Sequence, residues 1–256
     1  MEIKFIGTGS GKTSLKRFHS SLLFLSEGYH LLVDSGDGIS RALLSQNVPY
    51  NSINGILISH LHPDHFSGLS ALIIQMKLTQ RTNILDIFIH ESLVEEVKDF
   101  IYHSYIFNER THFKINYIPL VYDKTYIVDK NFSFIAKQNT HLDTYKAYGR
   151  AKEISFSCSS FLFTLNSIKV HYTGDIGAAE DIKLFKDINT DILISEISHI
   201  DIQDVLSASK FLNIKKLILT HISDENEQMI LNINNIQSEN RNTEIISAYD
   251  GFSIYV

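Results

Sequence analysis

The sequence predicts an α/β protein in which two mixed β-sheets pack face to face with helices outside, a four-layer αββα sandwich. Three observations predict it. Short apolar runs alternate with longer segments of helical spacing along all 256 residues. The strand pairs fall into two groups, each followed by helices, without strict βαβ repetition. No linker rich in Pro, Gly or Ser divides the chain, so one domain over residues 1–256 is expected.

The elements follow in order. Residues 3–6 read as a strand, and 21–25 with 30–33 read as a hairpin turning at Glu27 and Gly28. Residues 38–46 have helical spacing, and 55–59 are a buried strand. In 66–78, Leu69, Leu72, Ile73 and Met76 share one helical face. A strand at 86–90 and a helix at 92–103 follow, whereas 105–122 gives no clear pattern. Residues 132–136 read as a strand, and 155–165 with 168–172 as a hairpin turning at Asn166 and Ser167. A helix at 178–186, a strand at 192–195, a helix at 201–212 and a strand at 216–219 complete the pattern, before a further helix and one or two strands. The two halves have similar layouts. Pro49, Pro63 and Pro119 all fall between elements.

Composition excludes some functions. There are 23 basic and 29 acidic residues, a net charge of -6, and no long run of like charge, so an extended nucleic-acid-binding surface is not expected. Cys158 is the single cysteine, which forbids an internal disulfide and fits a reducing compartment. The N-terminal residues lack the basic-then-apolar order of a signal peptide, and no apolar run approaches the roughly 20 residues of a spanning helix. A cytoplasmic protein without membrane insertion is expected.

The chemistry is concentrated in Ser59-His60-Leu61-His62-Pro63-Asp64-His65, a strand-to-helix loop carrying three imidazoles and a carboxylate. His60 and His62 are two apart, so an extended backbone turns both to the same side, while Asp64 and His65 enter the next helix and can serve a second centre. Imidazole and carboxylate without thiolate suit zinc and its borderline neighbours better than magnesium. Later donors sit in loops after apolar strands: His141 after Asn139-Thr140, Asp175 in Thr173-Gly174-Asp175, and His221 after Thr220. Strand ends are where a rigid scaffold holds ligands.

In this order, SHLHPDH, His141, TGD and LTH resemble the metallo-β-lactamase superfamily over essentially the whole chain. The resemblance implies the sandwich fold and two Zn2+ ions, with Mn2+ as the alternative metal. It implies that His60, His62 and His141 hold one ion, Asp64, His65 and His221 the other, and that Asp175 bridges both. The stretch ISEISHIDIQDVLSASKFLNIKKLILTHIS is similar to the C-terminal part of tRNase Z and related phosphodiesterases, where an additional histidine precedes a helix. His199 matches that histidine, which stabilises the scissile phosphate or protonates the leaving oxygen; Glu196 is positioned to orient it. The long Gly- and Pro-rich arm that clamps tRNA in that family has no counterpart between His141 and Asp175. The resemblance therefore points to compact cyclic nucleotide phosphodiesterases, including those that degrade cyclic nucleotide signals in bacterial and phage conflict, and to homodimers.

The expected activity is dinuclear zinc-dependent hydrolysis of a small phosphodiester, a 3′,5′-cyclic nucleotide above others. Metal-bound hydroxide attacks phosphorus, Asp64 or Asp175 accepts the proton, and His199 assists the leaving group. Tyr145, Tyr148 and Arg150, in the insertion 142–153, are candidate substrate contacts through base stacking and phosphate pairing. The aromatics Tyr102, Tyr105, Phe107, Phe113 and Tyr117 are read as core or dimer surface. Asp34 is expected to support a histidine ligand. The histidines at 19, 30, 90, 103, 112 and 171 lack ligand spacing and are read as structural. GTGSGKTS lacks the four residues that a P-loop places between its first glycine and Gly-Lys, so nucleoside triphosphate hydrolysis is rejected. Rival readings are a tRNase Z-like RNA endonuclease, a metal-dependent lactonase or thioesterase, and a non-catalytic nucleotide-binding sensor.

Overall fold

The computed structural model describes residues 1–148, 154–230 and 242–256. Two compact units divide the chain: Met1–Gly7, Leu15–Val121 and Asp250–Val256 form the first, Thr8–Ser14 and Tyr122–Tyr249 the second.

The first unit holds β1 (Glu2–Gly7), β2 (Ser21–Leu25), β3 (His30–Val33), α1 (Ile39–Ser45), β4 (Gly55–Leu57), α2 (Pro63–Phe66), α3 (Leu69–Leu78), β5 (Leu85–His90), α4 (Val94–His103) and β6 (Ile115–Leu120). The last strand of the chain, β14 (Ser253–Tyr255), pairs with β1. The sheet order is β14-β1-β2-β3-β4-β5-β6. Its first three pairings are antiparallel and its last three parallel. A short hairpin turn joins β2 to β3, whereas the parallel pairings need the α1, α3 and α4 crossovers. Leu69, Leu72, Ile73 and Met76 of α3 are all fully buried, as their spacing predicts, each adding about 2 kcal/mol of burial. They join Ile56, Ile58, Ile87 and Ile89 in one core.

The second unit holds β7 (Thr125–Asp129), β8 (Phe132–Gln138), β9 (Ser159–Leu165), β10 (Ile168–Tyr172), β11 (Ile192–Glu196), α5 (Ile202–Phe211), β12 (Lys216–Thr220), α6 (Glu227–Ile230) and β13 (Glu244–Ser247). Its order, β13-β12-β11-β10-β9-β8-β7, repeats the pattern of the first sheet, with antiparallel β7 to β10 and parallel β10 to β13. Asp201 caps α5 by accepting from Gln203 N at 2.7 Å, and the helix buries Ile202, Val205 and Leu206 against Leu217 and Leu219.

Several expectations are corrected. The helix expected at 66–78 is divided at Ser67 and Gly68; a Cβ on Gly68 would sit 2.1 Å from Gly36 O, so the close approach at this point requires glycine. The helix expected at 178–186 is a 3₁₀ turn, Ala179–Lys183: Asp181 accepts from Gly177 N and Ala178 N, which tightens its start. The hairpin strand expected from 155 begins at Ser159. β7 has no counterpart among the expected elements, and Pro119, expected between elements, lies inside β6. That strand is the sheet edge, where a missing N–H is tolerated.

Candidate metal centre

In the first unit the donors leave the C-terminal end of β4, the position at which parallel sheets present ligands. His62 is extended at the N-cap of α2, without a side-chain hydrogen bond to the helix, and Pro63 opens the helix with a preset φ. The His60 and His62 rings come to rest 4.7 Å apart and those of His60 and His65 4.3 Å apart. Asp64 Oδ2 lies 3.3 Å from His65 Nε2.

Asp34 organises this cluster. It is fully buried with φ 62°, a left-handed conformation that aspartate tolerates better than most residues. Its carboxylate accepts from Ser59 N at 2.8 Å and Ser59 Oγ at 2.9 Å, and pairs with His65 Nδ1 at 2.8 Å. A carboxylate only accepts, so His65 carries its proton on Nδ1 and offers the lone pair of Nε2 to a metal. Ser59 Oγ is also 3.0 Å from His60 Nδ1. Gly36 allows the 34–36 loop to lie against α2: a Cβ there would be 1.8 Å from Asp64 O.

In the second unit His141 follows β8, Asp175 follows β10, Glu196 ends β11, and His221 follows β12. Asp175 and His221 are 2% exposed. Asp175 Oδ1 is 3.3 Å from His221 Nε2, and its Oδ2 is 3.8 Å from His141 Nε2 and 3.9 Å from His199 Nδ1. One carboxylate thus faces three imidazoles with both oxygens. Glu196, 1% exposed, accepts from Ile176 N at 2.8 Å, Ser198 N at 3.1 Å and His199 N at 2.8 Å, and holds His199 Nδ1 at 2.9 Å. It therefore orients His199, whose side chain remains 41% exposed. His221 has φ 52°, and its conformation is fixed by Ile222, whose N–H bonds Thr8 O at 2.8 Å and whose carbonyl accepts from Ser10 N. Glu196, His199 and His221 can themselves hold a cation among the described residues.

The donors in both units are imidazoles and carboxylates, a set that binds divalent metal. Tyr145 and Tyr148 lie on and just after the 3₁₀ turn Asp143–Ala147, 48% and 88% exposed; Arg150 lies outside the described residues. Phe113 is buried, whereas Tyr102 and Tyr105 are 61% and 81% exposed. Lys12 pairs with Glu225, and Ser14 Oγ bonds Asp224 at 2.9 Å; no helix follows this loop, as the rejected P-loop would require. Sequence reasoning passes over the supporting roles of Asn139 and Asp181, both polar and buried.

His171 belongs to none of these donor groups among the described residues. It is buried on β10 with its ring 4.9 Å from Phe185, and burial pushes its pKa down from 6.5 to about 3. The folded protein holds this ring neutral while the unfolded chain takes up a proton below pH 6.5, so stability is lost as pH falls from there toward 3. His171→Leu is expected to flatten that loss by a few kcal/mol in urea titrations at about pH 4 and pH 7.

With the relatives that follow, this fold and donor set mark a metal-dependent hydrolase of the tRNase Z-like branch of the metallo-β-lactamase superfamily, acting on phosphodiester bonds. The chain belongs to the family described as anti-Pycsar protein Apyc1, whose model matches residues 1–242. Ribonuclease Z of Saccharolobus solfataricus is 27% identical, with 90% of this chain and 91% of that protein covered. Among solved structures, the metallo-β-lactamase fold protein YhfI from Bacillus subtilis matches with a TM-score of 0.78 at 21% identity, over 99% and 98% of the two chains. Human tRNase Z, short form, matches with a TM-score of 0.72 at 21% identity, over 100% and 99%.

Proposed function

We propose that the protein is a dinuclear zinc phosphodiesterase acting on a small phosphodiester, foremost a 3′,5′-cyclic nucleotide. His60, His62 and His141 would hold one ion and Asp64, His65 and His221 the other, with Asp175 as a further carboxylate ligand; Mn2+ is the alternative metal. The tautomer set by Asp34 on His65 and the approach of three imidazoles to Asp175 support this assignment. When bound, the ions supply Lewis acidity toward the phosphoryl oxygens and a nucleophilic water near neutral pH.

The chain's own groups do the rest. Asp64 or Asp175 accepts the proton of the attacking water. Glu196 accepts from Nδ1 of His199, which leaves Nε2 to exchange the proton that the departing oxygen takes up. Tyr145, Tyr148 and Arg150 contact the base and phosphate. Residues 1–256 work as one domain, since each unit alone carries only part of the donor set, and the protein acts as a cytoplasmic homodimer. No helix among the described residues is long and apolar enough to cross a membrane.

The observation that carries the small substrate is the interval 142–174. It contains no proline, its glycines are Gly149 and Gly174, and the 3₁₀ turn with β9 and β10 takes up about half of it. A chain of net charge -6 adds little attraction for a long polyanion. The likeness to ribonuclease Z favours a second reading, an RNA endonuclease. Offering the metal-loaded protein precursor tRNA and cyclic nucleotides side by side separates the two. Linearised nucleotides with intact precursor are expected; the reverse result transfers the assignment to the RNA.

A further inference from the structure

We infer that Asp181 and Asn139 are positioning residues of the metal centre, which together clamp the loop bearing His141 to the loop bearing Asp175. The inference rests on the metal assignment proposed above and concerns how two of its donors are held.

The need for a clamp follows from the sheet. His141 leaves β8 and Asp175 leaves β10, but β9 lies between these strands, so no ladder hydrogen bond ties their ends together. Two buried side chains supply the tie. Asp181, 4% exposed, uses Oδ2 to accept from Thr140 N at 3.1 Å and Thr140 Oγ1 at 2.7 Å on one loop. The same oxygen accepts from Gly177 N at 3.0 Å and Ala178 N at 3.3 Å on the other. Asn139, 3% exposed, accepts from His141 N at 3.2 Å through Oδ1, while its Nδ2 donates to Asp175 O at 2.9 Å and Ser160 Oγ at 3.0 Å.

The loops also meet backbone to backbone. A Cβ on Gly177 would lie 2.4 Å from Thr140 O, so only glycine permits the approach. Asn139 bonds the backbones of His141 and Asp175 themselves, and Asp181 joins Thr140 to Gly177 and Ala178, so the two bridges hold the loops in which His141 Nε2 and Asp175 Oδ2 lie 3.8 Å apart. Preset donors lose less conformational freedom when an ion arrives, and outer groups of this kind alter metal affinity about 10–100-fold. An aspartate suits the post because it brings only acceptors to four converging donors.

The test is metal affinity in the absence of substrate. Wild-type, Asp181→Ala, Asp181→Asn and Thr140→Val proteins are stripped with chelator, then titrated with Co2+ by visible absorption and with Zn2+ against a competing chelator. Asp181→Ala is expected to weaken metal binding about 10–100-fold with an altered Co2+ spectrum and an unchanged far-ultraviolet circular dichroism spectrum. Asp181→Asn, whose Oδ1 can replace Oδ2, should recover part of the affinity, and Thr140→Val, which deletes one donor, should weaken it several-fold. Should Asp181→Ala fail to fold, the Thr140→Val comparison decides. A lowered melting temperature with wild-type metal affinity and spectrum in the folded variants overturns the clamp and leaves the metal assignment standing. A wild-type protein that takes up no metal overturns both.

Discussion

His199→Ala is expected to slow hydrolysis of a 3′,5′-cyclic nucleotide about 10²–10⁴-fold while the protein keeps its metal. His199 is held through Nδ1 by Glu196 at 2.9 Å and stays 41% exposed, the combination expected of a group that meets substrate. A ribose alkoxide is a strong base and departs poorly without a proton. A nitrophenolate is a far weaker base, so bis(p-nitrophenyl) phosphate should suffer much less from the same substitution. Equal losses on both substrates would assign His199 to stabilising phosphate charge rather than to proton donation.

Replacing Asp34 should have the largest effect on stability and metal together. Asp34→Ala strands Ser59 N–H, Ser59 Oγ and His65 Nδ1 in a fully buried pocket and places alanine at φ 62°; a loss of about 3–5 kcal/mol in urea unfolding is expected. Asp34→Asn keeps the shape and tolerates the left-handed backbone, but its amide N–H meets His65 Nδ1. The imidazole must then carry its proton on Nε2, which removes that atom as a ligand. The Asp34→Asn variant should therefore stay folded while binding metal about 10–100-fold more weakly. Full metal affinity in that variant would mean that Asp34 supports the backbone alone.

Much of this site is legible without coordinates because its donors cluster in sequence or sit directly after apolar strands. SHLHPDH carries four of them within one loop, and the buried strand before it and the helix after it are both present. Asp34 is legible because a strand-end aspartate in Val33-Asp34-Ser35-Gly36 falls at the same end of the sheet as the histidines. Asn139 and Asp181 escape for a physical reason. Each is a lone polar residue whose partners lie in a different loop, and no periodicity encodes that. The segment 178–186 has helical spacing, yet the Asp181 hydrogen bonds to Gly177 and Ala178 close it into a tighter turn. β6 is illegible because its burial does not alternate and Pro119 argues against a strand unless the strand is an edge. The break between α2 and α3 falls where Gly68 lies against Gly36, a contact between distant residues that only the folded chain reveals.

The most direct measurement is a panel of 3′,5′-cyclic nucleotides given to chelator-stripped protein before and after it is reloaded with zinc or manganese, with His62→Ala alongside. The account predicts no turnover when stripped, linear nucleotide when reloaded with two equivalents of metal, and in His62→Ala no turnover with uptake of at most one equivalent. Intact cyclic nucleotides throughout, with lactone or thioester cleaved by the reloaded protein, would contradict it.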